Sequence, residues 1–214
     1  MIGIFGGTFD PVHYGHIKTA FSVKQALNLS QLRFMPNRMP PHRAEPWLSV
    51  EQRLQLLQAA LIDYPDVIID ERELERHGPS YMVDTLASLK QEFPHEALCL
   101  VIGLDAFFGI TRWFKWRALF DLCHLVVIDR PGFDRASIAQ QFDAADYAFL
   151  QQRMTCDVDT LTARDSGRIL LQSVPQLDIS STMIRDNLSH EELMAQWMPE
   201  PVYKKLRGFI NDDR

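Results

Sequence analysis

Two glycines, a threonine, a proline and two histidines stand together in the string Gly6-Gly7-Thr8-Phe9-Asp10-Pro11-Val12-His13-Tyr14-Gly15-His16. The apolar residues before it, Ile2, Ile4 and Phe5, read as a buried strand. Ile17 to Leu29 reads as a helix, with Ile17, Ala20, Phe21 and Leu27 near one face. The string therefore occupies a strand-to-helix junction, where backbone N–H groups point outward and the helix dipole favours negative charge. Gly6 and Gly7 let a phosphate approach the backbone closely, and His13 and His16 add side-chain donors, with positive charge when protonated. Either histidine taken alone would read as a surface residue; the string as a whole reads as an apparatus for phosphate.

The rest of the chain alternates strand-like and helix-like segments. Leu32 to Met35, Val67 to Ile69, Leu98 to Ile102, Leu125 to Ile128 and Ile169 to Leu171 read as strands. Ser49 and Gln52 form a capping box ahead of Val50, Leu54, Leu57 and Leu61, which share a helical stripe. Met82, Leu86, Leu89 and Phe93 put a helix over Ser80 to Phe93, and Ile138, Phe142, Ala145 and Phe149 again show helical spacing. Continuous apolar strands separated by amphipathic helices predict a doubly wound, Rossmann-like parallel α/β sheet with helices on both faces. No linker or repeat divides the chain, so one domain over residues 1–214 is expected. Ligands of such sheets bind outside the carboxyl ends of the strands. The first glycine-rich turn, Gly103-Leu104-Asp105 and Arg130-Pro131-Gly132 all lie at such ends and are expected to converge.

A net charge of −6 argues against a general nucleic-acid binder, while leaving room for a small anionic substrate met by a few local donors. No apolar run is long enough to cross a membrane. Cys99, Cys123 and Cys156 have no metal-site or redox spacing, and an odd count without a leader segment fits a reducing cytoplasm. The sequence carries no signal for oligomeric state.

Ser180, Ser181 and Thr182 open a helix one turn before Arg185, supplying caps and anion-binding groups together. Taken alone this is equally a plain N-cap with a surface arginine. Asp105, after Gly103, can accept two hydrogen bonds from ribose hydroxyls or can simply cap the next helix. The loop Pro36 to Arg43 is stiffened by proline and offers Asn37, His42 and Arg43 as donors.

The N-terminal string resembles the signature of the nucleotidylyltransferase superfamily, whose His-x-Gly-His turn reads His13-Tyr14-Gly15-His16 here. Its longer form is similar to that of the bacterial nicotinate mononucleotide adenylyltransferases, and further elements follow in family order from Gly6 to Arg185. The resemblance implies adenylyl transfer from ATP to nicotinate mononucleotide, giving nicotinate adenine dinucleotide and pyrophosphate, with Mg²⁺ accompanying ATP and no metal site in the protein. It assigns His13, His16 and Arg185 to catalysis. It assigns Gly6, Gly7, Thr8, Gly103, Asp105, Ser180, Ser181 and Arg185 to ATP. Asn37, His42, Arg43, Tyr81, Thr85, Trp113 and Arg130 fall to the mononucleotide. Two departures stand out: Arg43 replaces a usual Lys, and Met82 stands where Thr is common, so a hydroxyl is lost. A sister transferase with another phosphate acceptor and a non-catalytic nucleotide sensor remain alternatives, separable by acceptor assays and pyrophosphate release.

Overall fold

The computed structural model describes residues 1–38, 45–76, 80–175 and 177–212. Seven strands form one sheet: β1 (Ile2–Gly7), β2 (Gln31–Pro36), β3 (Val67–Ile69), β4 (Leu98–Gly103), β5 (His124–Ile128), β6 (Met154–Thr155) and β7 (Ile169–Gln172). Their spatial order is β3-β2-β1-β4-β5-β7-β6, and every pairing is parallel. The helices are α1 (Tyr14–Ala26), α2 (Val50–Ala60), α3 (Arg72–Glu75), α4 (Met82–Glu92), α5 (Leu104–Phe108), α6 (Leu119–Leu122), α7 (Ala144–Gln151), α8 (Asp159–Thr162), α9 (Ser181–Asp186), α10 (Glu191–Trp197) and α11 (Glu200–Asp212).

Strand alternation builds two cores. Ile2, Ile4, Leu98, Leu100, Leu125 and Val127 face the side covered by α4, with Val83, Leu86 and Leu89. Phe5, Val101 and Val126 face the opposite side, with Ile17, Ala20 and Val23 of α1, Leu56 and Leu57 of α2, and Leu206 of α11. A sheet covered on both faces needs apolar residues at every strand position, which is why these strands read as unbroken runs. Gly3 is set by approach rather than by φ: a Cβ there would collide with the Leu29 side chain.

Two helix readings change. The α2 stripe is rotated: Arg53, Leu56, Leu57 and Ala60 are its buried residues, whereas Val50 and Leu54 are only partly covered. The expected capping box is present, with Ser49 Oγ accepting from the Gln52 N–H and Gln52 Oε1 accepting from the Ser49 N–H. The spacing from Ile138 to Phe149 is shared by two elements. A 3₁₀ helix covers Arg135–Gln141, Phe142 is extended, and Asp143 caps α7 through a bond from the Asp146 N–H. An acidic cap in mid-pattern ends one turn and starts the next, which apolar periodicity alone does not register.

Cys99 and Cys123 are buried and Cys156 is exposed. Burial pushes the Cys99 thiol up to about 12 and that of Cys123 higher still. No helix among the described residues is long and apolar enough to cross a membrane.

His124, fully buried at the start of β5, uses both ring nitrogens: Nδ1 accepts from the Arg168 N–H and Nε2 donates to the Arg164 carbonyl. Burial lowers its pKa. A histidine with a depressed folded-state pKa contributes stability that is full above the unfolded value, ~6.5, and is lost as pH falls below it. The denaturation midpoint should therefore drop between pH 7 and pH 5, and drop less in His124→Gln. Equal pH dependence in the two proteins would remove this role.

Candidate active site

The chain reverses direction across the sheet between β1 and β4, so the crevice at their carboxyl ends is the topological switch point. A cleft of about 1090 Å³ opens there. Its lining draws on the ends of four strands, with Gly6 and Gly7 from β1, Met35 from β2, Gly103 from β4 and Ile128 from β5. The expected convergence of the turns is thus observed.

The signature turn is built by backbone geometry. Phe9 lies in the left-handed region, φ 51°, unusual for a bulky residue, and its ring is buried against Phe5 and Phe34. His13 is the N-cap of α1 and its carbonyl accepts from the N–H groups of His16 and Ile17. The His13 and His16 rings lie 3.8 Å apart between centroids, and His16 meets the Phe9 ring edge-on at 5.2 Å. Gly15 clears the space for this arrangement, since a Cβ there would come within 2.8 Å of His13 Nδ1. The Nδ1 atoms of both histidines are buried without a hydrogen-bond partner, yet both residues line the cleft. Burial, and then the Arg130 charge, lowers the His13 pKa to about 3. Burial, His13 and Arg130 together hold His16 well below its ordinary value. The positive charge they would add when protonated is therefore not available near pH 7, because a desolvated ring beside a guanidinium cannot hold a second charge cheaply. His16 is also packed between aromatic rings and His13 instead of standing free in a solvent-accessible turn.

Asp10, in the same string, joins distant parts of the chain. Its carboxylate accepts from the N–H groups of Trp47 and Leu48 at 2.8 and 2.9 Å. Its carbonyl accepts from Arg185 Nη1 at 2.6 Å, and the same guanidinium lies 3.6 Å from its carboxylate. Ser181 Oγ donates to the Pro11 carbonyl at 3.0 Å, so the two strongest sequence signals, 170 residues apart, are bonded to each other. Ser180 takes the plain reading first: its hydroxyl caps α9 by accepting from the Met183 N–H. Arg53 gathers the other side. Fully buried, it donates to the carbonyls of Thr8, Asn37 and Arg38. Periodicity gave no sign of Arg53, and Asp10 was visible only as part of the string.

The remaining expected residues divide. Thr8 and Asn37 are bonded side chain to side chain, and both line the cleft. His42 and Arg43 lie outside the described residues. Tyr81, the N-cap of α4, packs tilted against the half-exposed Phe114 at 4.5 Å between ring centroids, and with Trp113 they make an aromatic wall. Trp116 instead packs edge-on against Phe120 and Phe149, away from the cleft lining.

Thr85 is corrected. It sits on the inward face of α4 beside Leu86 and Leu89, is fully buried, and is not part of the cleft lining. Its hydroxyl donates to the Glu73 carboxylate at 2.8 Å and accepts from Arg76. Burial raises the Glu73 pKa. Glu73 itself borders the cleft, a placement that the charged run Asp70 to Arg76 gave no way to single out.

Arg130, expected on the mononucleotide side, lines the cleft and meets Asp105, expected on the ATP side. In the β4–β5 register Gly103 faces Ile128, so the residues two positions beyond meet, and Arg130 Nε lies 3.4 Å from Asp105 Oδ1. Gly103 leaves room for the pair, because a Cβ there would collide with the Asp105 carboxylate and touch Arg130.

The neutrality of the histidine pair is directly observable. Histidine ring resonances of His13 and His16, assigned with His13→Gln and His16→Gln, should stay constant from pH 8 to pH 5. Titration of either ring near 6.5 would contradict the buried arrangement.

A family model described as cytidylyltransferase-like matches residues 4–187. A protein of Halorhodospira halophila named probable nicotinate-nucleotide adenylyltransferase is 44% identical over 205 residues, covering 96% of this chain and 92% of its own length. One of the same name from Methylococcus capsulatus is 44% identical over 207 residues, covering 96% of each. Among solved structures, the Plasmodium falciparum nicotinic acid mononucleotide adenylyltransferase complexed with NaAD superposes with a TM-score of 0.72 at 17% identity. That superposition covers 97% of this chain and 95% of the other, and at this identity it speaks for the fold.

Proposed function

For a chain that belongs to the cytidylyltransferase-like family, we infer that this cleft carries out the reaction for which its relatives are named, transfer of the adenylyl group of ATP to nicotinate mononucleotide. An oxygen of the mononucleotide 5′-phosphate attacks the α-phosphorus, the bond from that phosphorus to the bridging oxygen breaks, and pyrophosphate leaves with the electron pair. The attacking phosphate is already ionised at neutral pH, so the protein need supply neither nucleophile nor strong base. What it supplies is alignment and preorganised donors.

The observation that carries this reading is the pair of cleft-lining imidazoles whose Nδ1 atoms have no partner, flanked by guanidinium groups. Neutral imidazoles are donors without net charge, and each keeps one N–H for a phosphate oxygen. In this reading His13 and His16 hold the ATP phosphates, with the Gly6-Gly7-Thr8 backbone beneath them. Arg185 is oriented by the Asp10 carbonyl and by Thr182 Oγ1, which use two of its five N–H donors. Arg130 and Asp105, at the neighbouring strand ends, take the ribose and phosphates of ATP. Ser181 ties α9 to the signature turn. Asn37, the Tyr81 end of α4 and Trp113 form the mononucleotide side, with the Trp113 face for the pyridine ring.

Among the described residues no group of three or more His, Cys, Asp or Glu could hold a metal ion. The cleft carboxylates Asp10, Asp105 and Asp129 are each committed to an arginine. Mg²⁺ bound to ATP through phosphate oxygens and water fits this donor set, and its chemistry is neutralisation of the leaving pyrophosphate. A reaction fed by ATP fits the cytoplasm.

His16→Ala should lower turnover by ~10²-fold or more, the scale set by loss of one transition-state donor. Because His16 is packed among rings, a modest fall in stability accompanies it, so turnover is to be normalised to folded protein. Near-normal turnover would remove the assignment. Specificity constants for the acid and amide mononucleotides test the acceptor, with the acid expected to be preferred. Use of the amide as well as the acid would overturn the acceptor while leaving adenylyl transfer in place.

A further inference from the structure

Among the described residues three arginines line the cleft: Arg112, Arg130 and Arg185. Arg130 is engaged by Asp105 and Arg185 by Asp10 and Thr182. Among the described residues the Arg112 side chain makes no hydrogen bond and no ion pair. It is nevertheless held in place. It ends a 3₁₀ turn, Ile110–Arg112, anchored by the fully buried Ile110, and its N–H bonds to the Gly109 carbonyl at 3.1 Å. The Trp113 N–H bonds back to the Ile110 carbonyl at 2.9 Å, so Arg112 and Trp113 leave one rigid turn side by side.

Gly109 shows where the guanidinium lies. Its φ of −99° is open to any residue, so conformation does not demand glycine there. A Cβ at that position, however, would come within 2.9 Å of Arg112 Nη2 and 3.7 Å of its Cζ. The guanidinium is thus folded back over Gly109, at the C-terminal end of α5. Arg112 lines the cleft beside Trp113 in the chain, the residue whose ring is expected to stack on the pyridine.

A nicotinate ring against Trp113 brings a carboxylate into a region with few free hydroxyls, since that of Ser80 donates to the Glu73 carbonyl and Tyr81 presents the other. Met82 has none, and the hydroxyl of Thr85 is consumed by Glu73 and Arg76. Of the carboxylates lining the cleft, Asp10, Asp105, Asp129 and Glu73 are each engaged, and Glu45 lies exposed.

We propose that Arg112 is a specificity-determining residue that recognises the ring carboxylate of the acid mononucleotide. The proposal rests on the acceptor reading above and adds to it the group that separates acid from amide. A guanidinium suits a carboxylate through its two-pronged donor geometry, and its charge discriminates against a neutral amide.

The test compares specificity constants for nicotinate and nicotinamide mononucleotides in the wild type, Arg112→Gln, Arg112→Lys and Gly109→Ala. Arg112→Gln should lower the value for the acid ten- to a hundredfold, change that for the amide less than about threefold, and leave the KM for ATP unchanged. Arg112→Lys should recover part of the acid preference. Gly109→Ala, which removes no polar group, should reproduce part of the loss by displacing the guanidinium. Equal losses with both acceptors, a changed KM for ATP, or an intact acid preference in Arg112→Gln would each overturn the proposal. A wild type that ignores the acid altogether would instead overturn the acceptor reading on which it rests.

Discussion

The site depends on one buried cation. Arg53 reaches from α2 under the carboxyl ends of β1 and β2 and donates to the carbonyls of Thr8, Asn37 and Arg38. A parallel sheet leaves the chain beyond each strand end without ladder partners, and unpaired buried carbonyls are costly. One guanidinium satisfies three of them and fixes the spacing of the two loops that floor the cleft. Burial lowers the Arg53 pKa, opposed by Asp10 and Glu51, yet a guanidinium remains charged under any condition at which the fold persists. A lysine could not span three diverging acceptors, because its donors radiate from a single nitrogen.

Asp10 does the matching work on the other side. It binds the start of the α2 region through Trp47 and Leu48, and α9 through Arg185. The signature turn is therefore held from both flanks by charged groups whose partners are mostly backbone. Such partners do not rearrange as side chains do, so the donors presented to a ligand are already placed before it arrives, as electrostatic preorganisation requires. The aromatic packing of His16 against Phe5 and Phe9 serves the same end, since a ring wedged between rings keeps its N–H direction.

Charge in the cleft is divided unevenly. Neutral imidazoles lie beside the arginines at the end assigned to phosphate, and the aromatic wall of Tyr81, Phe114 and Trp113 faces the end assigned to the pyridine ring. Neutral donors at the phosphate end limit the penalty for keeping an empty site, because cations packed together without an anion would repel one another. Each still offers one N–H donor to an incoming anion.

The sequence by itself determined the layered parallel sheet, the convergence of the glycine-rich turns at the strand ends, and the identity of the signature turn and the Ile179–Arg185 element. These follow from apolar runs, glycine at strand ends and short-range spacing, all of which are local. Only the tertiary structure decided what the charged and polar residues do. Arg53 and Glu73 look like solvated positions in the sequence and are buried. Thr85 looks like a ligand donor and is spent on Glu73. Arg130 meets Asp105 because strand register, a long-range property, sets the two side by side. The charge state of His13 and His16 likewise depends on how much water the folded chain excludes from them. Periodicity records which face of a segment is apolar; it carries no information on which polar group waits across the fold to meet the exception.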